Sequence, residues 1–306
     1  MCSIGETVLL TPCTRMPHLP VLYARGRILE ETSARVGTSF ANGSLREGKV
    51  GRLIFLGTGD SLNPERAQTS LAVLLPGDEA MLIDASSGTV LLGRLEACGI
   101  PLESVRHLFI SHRHFDHVGG LAPLLTALAA LPEAFLTVHA APETLRALRG
   151  VLELTIPGAE GWLGKRLGWH ELLPNEPTEL GGTDVIPFLM NHGIECLGFR
   201  IAQLSSVAVV AGDTRPSPEI VERAGGADLL VHDAYGPQSA AQQAHAMGHS
   251  TATEAGQAAH AAGVKRLILT HLRASCFADP DALAAEAEAA FGGPVDAAND
   301  LDVFDF

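Results

Sequence analysis

Residues 111–120 read SHRHFDHVGG, three histidines and an aspartate directly behind the apolar run of residues 107–110. In an extended segment, residues two apart project to the same side, so His112 and His114 can hold one cation between them. Asp116 and His117 follow at once, and where the chain begins to turn they can face a second cation beside the first. Nitrogen and carboxylate donors without thiolate suit a catalytic zinc site that keeps an open coordination position; manganese, iron(II) and cobalt take the same donors. A lone histidine is ordinarily a hydrogen-bonded core or surface residue. An ordered quartet of ligand-type side chains after a strand is poorly explained that way.

Two cations need more donors than this loop offers, and three residues stand at or beside the ends of further apolar runs: His192 in MNHGIECLGFRI, Asp213 in VVAGDTRP and His271 in LILTHL. Singly they read as a core histidine, a turn aspartate and a helix or turn cap. Together they complete a set of five histidines and two aspartates. LFISH (residues 108–112) and LILTH (residues 267–271) share one plan, apolar strand, hydroxyl residue, histidine, and each would deliver an imidazole at a strand end.

The bulk properties set limits. The chain has 306 residues, 46% hydrophobic and 18% charged, ordinary values for a folded protein with a sizeable core. Against 35 acidic residues stand 21 basic ones, of which three are lysines (Lys49, Lys165, Lys265), for a net charge of −14. Such a surface disfavours general binding to polyanions. The cysteines (Cys2, Cys13, Cys98, Cys196, Cys276) are odd in number and never form a CxxC pair, which suggests reduced thiols in a cytoplasmic protein rather than a disulfide framework or thiolate zinc site. No signal peptide is read at the N-terminus. The most apolar stretch, residues 121–138, carries Pro123, Pro132 and Glu133 and reads as a core helix and turn, not a membrane span.

Residues 1–51 read as an appended arm or small hairpin, and residues 52–306 as the catalytic domain. Strands are expected at residues 53–56, 70–75, 80–83, 107–110, 134–138, 184–191, 198–202, 207–211, 229–231 and 266–270. Helices are expected at residues 89–98, from 120 onward, at 250–262 and at 282–291. Many strands with interspersed helices indicate an α/β layered domain.

Beyond the metal-type cluster, FLGTGDSLNPERAQTS, LIDASSG, NHGIECLGFRI, AGDT, DLLVHDAYG, GHSTATEAG and LILTHL resemble motifs of the metallo-β-lactamase superfamily, ribonuclease Z-like branch, over about residues 52–275. The resemblance implies a four-layer αββα sandwich. It implies that His112, His114 and His192 hold one metal, that Asp116, His117 and His271 hold the other, and that Asp213 bridges them. Two cations about 3.5–4 Å apart can share a bridging water, lower its pKa and hold the hydroxide for in-line attack. Asp116 can also orient that hydroxide. Asp84 in LIDASSG is either a carboxylate that accepts a hydrogen bond from a ligand imidazole or a turn aspartate. In ribonuclease Z-like proteins the counterpart of His249 donates a proton to the leaving oxygen, supported by an acidic residue, here Asp233 where the family usually has glutamate. The competing reading of His249 is a cap on the helix that follows. His232, His245 and His260 read as structural or solvent-facing.

True ribonuclease Z enzymes grip the tRNA elbow with a long, basic, glycine-rich arm between the counterparts of His192 and Asp213. Here twenty residues separate the two, enough for two strands and a tight turn at residues 204–206. The expected substrate is therefore a small ester, a phosphodiester first, with arylsulfate, phosphotriester and lactone as alternatives and tRNA 3′-processing behind them. A ligand-binding protein of the same fold is the non-enzymatic alternative. The N-terminal arm, residues 150–176 with Trp162 and Trp169, and Arg215 are candidates for shaping the pocket, the tryptophans equally for packing. By analogy with relatives, the N-terminal arm of residues 1–51 is a candidate surface for a homodimer.

Overall fold

The computed structural model describes residues 51–275 and 277–306. The expected arm lies outside the described residues except for Gly51, as do Cys2, Cys13, Lys49 and Cys276. Two seven-stranded sheets carry the architecture. The first takes β1 (Arg52–Gly57), β2 (Ser70–Leu75), β3 (Glu79–Ile83), β4 (Val105–Phe109), β5 (Leu136–Ala140) and β6 (Leu167–Glu171). The second takes β7 (Thr178–Glu179), β8 (Thr183–Leu189), β9 (Leu197–Gln203), β10 (Ser206–Val210), β11 (Leu229–Asp233), β12 (Leu267–Thr270) and β13 (Val295–Ala297). The last strand, β14 (Val303–Asp305), returns to the first sheet beside β1.

Both sheets follow one plan. Antiparallel strands lie on one side and four parallel strands on the other, β3 to β6 in the first and β10 to β13 in the second. In this correspondence β4 matches β11, whereas His271 follows β12. LFISH and LILTH thus deliver histidines at strand ends as expected, but from strands of different rank. The equivalent positions are instead those of Asp84, after β3, and Asp213, after β10.

Three hydrophobic cores make the four layers. Between the sheets, Leu53, Phe55, Val73, Met81, Ile83 and Phe109 of the first meet Leu197, Phe199, Ile201, Val210, Val231 and Ile268 of the second. The opposite face of the first sheet is covered by α1 (Val90–Ala97), α3 (Leu121–Ala129), α4 (Pro142–Thr155) and α5 (Ala159–Leu163). The short α2 (Phe115–Val118) falls within the histidine-rich loop. The outer face of the second sheet is covered by α6 (Pro218–Arg223), α8 (Ala252–Ala262) and α9 (Pro280–Phe291), while α7 (Ala241–Met247) runs in the loop before α8. A strand covered on both faces buries every residue, so β2 reads SLAVLL with no polar alternation. Among the described residues, no helix is long and apolar enough to cross a membrane.

Parallel strands end together, and their carboxyl ends are where ligands bind in open α/β sheets. The loop after β4 is pressed there onto the loop after β3. Ala85 N–H donates to the His117 carbonyl (2.6 Å) and Gly120 N–H to that of Ser86 (3.1 Å). A Cβ on Gly120 would stand 2.0 Å from the Ala85 carbonyl oxygen, which accounts for glycine at the end of the cluster.

Two outcomes follow. Gly120→Ala should lower stability by about 1–3 kcal/mol, as overpacking does, whereas Gly150→Ala, in α4 with nothing near the added atom, should raise it; denaturant unfolding of both variants checks the contrast. His139 is buried against Phe109, ring planes 2° apart and centroids 4.3 Å apart. Burial, with the neighbouring His107 and His170, lowers its pKa to about 3 from 6.5. The unfolded chain takes up this proton below pH 6.5 while the folded one does not, so stability present above 6.5 is lost as pH falls towards 3. His139→Phe should flatten the dependence of the melting temperature on pH between 7 and 5; an unchanged slope would show that His139 is not held neutral.

Candidate metal centre

All seven expected ligands meet at one end of the two sheets, six of them in the loops after the parallel strands β4, β10 and β12 and His192 in the loop after the antiparallel β8. His112, His114, His192 and Asp213 offer donor atoms within 4.8 Å of one another, and so do Asp116, His117 and His271. Asp213 connects the two groups, with Oδ2 3.6 Å from His112 Nε2 and 3.4 Å from His117 Nε2, and Oδ1 3.2 Å from His271 Nε2. His112 lies three residues past the end of β4, and α2 then turns the chain so that Asp116 and His117 are buried while His114 stays exposed.

Hydrogen bonding fixes which ring nitrogens face the pocket. Asp84 Oδ2 lies 2.7 Å from His117 Nδ1, and a carboxylate only accepts, so Nδ1 carries a proton and Nε2 is the ring nitrogen turned inward. Asp84 also accepts from Ser111 N–H (2.8 Å) and the Ser111 hydroxyl (2.8 Å). That hydroxyl, its proton committed to Asp84, accepts from His112 Nδ1 at 3.0 Å, which turns His112 Nε2 inward. His192 Nδ1 donates to the Gly248 carbonyl (2.9 Å) with the same result. Gly248 has φ +93°, and a Cβ there would lie 2.7 Å from that imidazole. Asp84 and His271 adopt φ of 60° and 55°, backbone angles uncommon for residues with a side chain, and both face the site.

The donors are crowded as bare ligands would be. His112 Nε2 stands 2.9 Å from His114 Nδ1, and His192 Nε2 3.4 Å from the same atom. Burial holds His112 well below the ordinary histidine pKa and lowers His114 and His192, so these rings are neutral. The second group is electrostatically opposite. Despite burial, the Asp213 and Asp84 carboxylates raise His117 to about 10, and Asp213 raises His271 well above its usual range. Asp213 is itself held well below the carboxylate range by His271 and His117, against a burial effect that would raise it. The pocket thus draws in positive charge, and its all-nitrogen-and-oxygen donor set with no hydrogen-bonded partner on the buried Asp213 Oδ1 fits divalent metal ions.

His249 lies at the edge of this pocket, its donor atom within 4.8 Å of those of Asp213 and His271. Its Nδ1 donates to Asp233 Oδ2 at 3.0 Å, leaving Nε2 free on the far side of the ring. Asp233 is fully buried and steadied by His232 Nδ1, 3.0 Å from Oδ1, and by Ser250 N–H, 3.4 Å from Oδ2. The shorter aspartate therefore still reaches its histidine. The cap of α8 is Thr251, in a capping box with Glu254, so His249 does not serve that role.

The pocket-shaping candidates Trp162, Trp169 and Arg215 sit elsewhere, whereas His232, His245 and His260 have structural contacts as expected. Trp169 packs in the outer core under α4, Trp162 stands exposed on α5, and neither lines the central pocket. Arg215 Nε donates to the His245 carbonyl (2.7 Å) at the end of α7, a capping contact. His232 and His260 are structural, and His245 pairs with Glu254 at 2.8 Å. Three neighbours were not read from the sequence: Ser111, Cys196, whose buried thiol lies 3.6 Å from His112 Nδ1, and Tyr235, whose ring stacks on His249. Ser111 had a usable signal, the hydroxyl residue that precedes histidine in both LFISH and LILTH.

A family profile described as the beta-lactamase superfamily domain matches residues 80–272. The ribonuclease Z of Halorubrum lacusprofundi is 31% identical over 291 residues, covering 79% of this chain and 93% of that protein. The metallo-beta-lactamase fold protein YhfI from Bacillus subtilis superposes with a TM-score of 0.72 at 24% identity, over 84% of this chain and 100% of that one. A diphosphatase from the PhnP family superposes with a TM-score of 0.67 at 22% identity, over 84% of this chain and 98% of that one. At those identities the two structures bear on the fold.

Asp84 touches no pocket donor except through His117 and Ser111, so its effect on metal should be indirect. Asp84→Ala is expected to weaken metal binding by roughly 10–100-fold, read by competition with a chelator. Unchanged affinity would show that the carboxylate does not orient His117.

Proposed function

Because the chain belongs to the beta-lactamase superfamily domain family, in its ribonuclease Z-like branch, we propose that it is a metal-dependent phosphodiesterase acting on small substrates in the cytoplasm. The observation that carries this reading is the convergence of the histidine and aspartate donors into two groups joined by Asp213. His112, His114 and His192 would hold one divalent cation and Asp116, His117 and His271 the other, with Asp213 between them; zinc is the first choice, with manganese, iron(II) or cobalt as alternatives. Two such cations supply Lewis acidity towards a phosphoryl oxygen and a water of lowered pKa.

The chain's own groups account for the rest. Asp116 Oδ2 stands 3.4 Å from His271 Nε2 and 3.5 Å from His117 Nε2, where it can accept a hydrogen bond from the attacking water and fix its direction. His249, held through Nδ1 by Asp233, offers Nε2 to the oxygen that departs, and a proton delivered there matters most when that oxygen is a poor leaving group. Arylsulfates, phosphotriesters and lactones can be served by the same groups.

The relative's name favours tRNA 3′-processing as a second reading. Against it stands the connection between β9 and β10, a turn at Leu204 and Ser205 that leaves no long insertion between His192 and Asp213. The net charge of −14 opposes tRNA as well. A binding protein without turnover is disfavoured by the complete donor set.

Metal analysis with a panel of bis-p-nitrophenyl phosphate, an aryl sulfate, a phosphotriester, a lactone and a tRNA precursor tests the assignment. Metal-dependent turnover should be highest on the phosphodiester, and metal-loaded protein inert on all five would overturn it. His249→Ala should retain metal and lose rate chiefly on diesters with poor leaving groups, by about 10²–10⁴-fold. Equal loss on p-nitrophenyl and alkyl diesters would remove the proton-donor role.

A further inference from the structure

Arg273 lies two residues beyond His271, in the loop that leaves β12. Its guanidinium carbon stands 4.6 Å from the ring centre of Tyr235 and 4.3 Å from that of Phe277. Tyr235 is stacked on His249, centroids 5.4 Å apart and planes 13° apart. One aromatic ring thus separates the guanidinium from the imidazole proposed to serve the leaving oxygen.

Stacking engages the faces of a guanidinium, whereas its N–H donors lie in the plane and point outward from the edges. Those donors have no short acceptor among the described residues. The ion pair with Asp60 spans 3.9 Å from Nε to Oδ2, beyond hydrogen-bonding distance, and the other Asp60 oxygen accepts from Leu62 N–H at 3.0 Å. Several other arginines in this acidic chain are tightly paired, among them Arg94 with Asp300 at 2.8 Å, Arg223 with Glu219 at 2.7 Å and Arg266 with Asp296 at 2.7 Å. Arg273 keeps its side chain 19% exposed, enough for a ligand to reach a fork that matches phosphate oxygens two at a time.

We propose that Arg273 binds a second phosphoryl group, carried by the leaving group next to the scissile phosphorus, so that the favoured substrates are diesters of diphosphate. This rests on the phosphodiesterase reading and narrows it. Hydrolysis breaks the bond from the scissile phosphorus to the bridging oxygen. Water supplies the oxygen that replaces it, and the bridging oxygen leaves with the electron pair and a proton from His249, giving two phosphate monoesters. Arg273 holds the departing phosphate and offsets its growing charge.

The test uses metal-loaded full-length protein and two ligands that differ by one phosphoryl-type group, α,β-methylene-ADP and AMP, titrated calorimetrically. Arg273→Met keeps an apolar stem between the rings and removes the fork; it should weaken α,β-methylene-ADP by about 10–100-fold and AMP several-fold less. Arg273→Lys should fall between, because it keeps the charge without the fork, and the melting temperature of each variant reports folding. Equal weakening of both ligands, or of neither, overturns the proposal. Turnover of bis-p-nitrophenyl phosphate without turnover of ADP-ribose also overturns it. Turnover of neither refutes the phosphodiesterase reading instead, while the difference between the two ligands still decides what Arg273 binds.

Discussion

The site depends on concentrated buried negative charge. Asp84, Asp116, Asp213 and Asp233 are each 4% exposed or less, gathered at one end of two packed sheets. Removing a carboxylate from water costs several kcal/mol unless hydrogen bonds and opposite charge answer it. Asp84 and Asp233 are answered by serine, histidine and backbone donors, and each holds one imidazole by Nδ1. Asp116 and Asp213 are turned towards His117 and His271, whose rings carboxylate charge raises above the ordinary histidine range. Divalent cations would meet the same demand for positive charge in place of those protons, with the donors already there.

The same constraint explains why the candidate donor set was legible in the sequence. The donors stand in loops that follow largely apolar strands, whose burial limits where the chain may turn, so short motifs carried the information. Continuous runs such as SLAVLL marked doubly covered strands, and the four layers follow from three cores. Asp84 was ambiguous between a turn and a supporting carboxylate because its partner His117 is distant in sequence, and the structure joins them at 2.7 Å.

What could not be read depends on tertiary pairing. The strands β6, β7, β13 and β14 lie at or next to sheet edges, where they are short or polar and bear no periodic signature of their own. Trp162 and Trp169 offered composition without direction, and the outer helices decided where they went. Tyr235, Arg273 and Phe277 come from two loops and acquire meaning only when folding stacks them beside His249.

The tight connection between β9 and β10 has a further consequence. Leu204 is 67% exposed at φ 56°, at the tip of a hairpin whose strands are anchored by the sheet on both sides. Lengthening a surface loop costs slowly growing closure entropy, about 0.6 kcal/mol for each doubling. Length can therefore be gained or lost at this tip while the hydrolytic centre stays intact. Catalysis and substrate capture become separately inheritable parts of the fold, and this hairpin is the natural point for grafting a new recognition module onto the same chemistry.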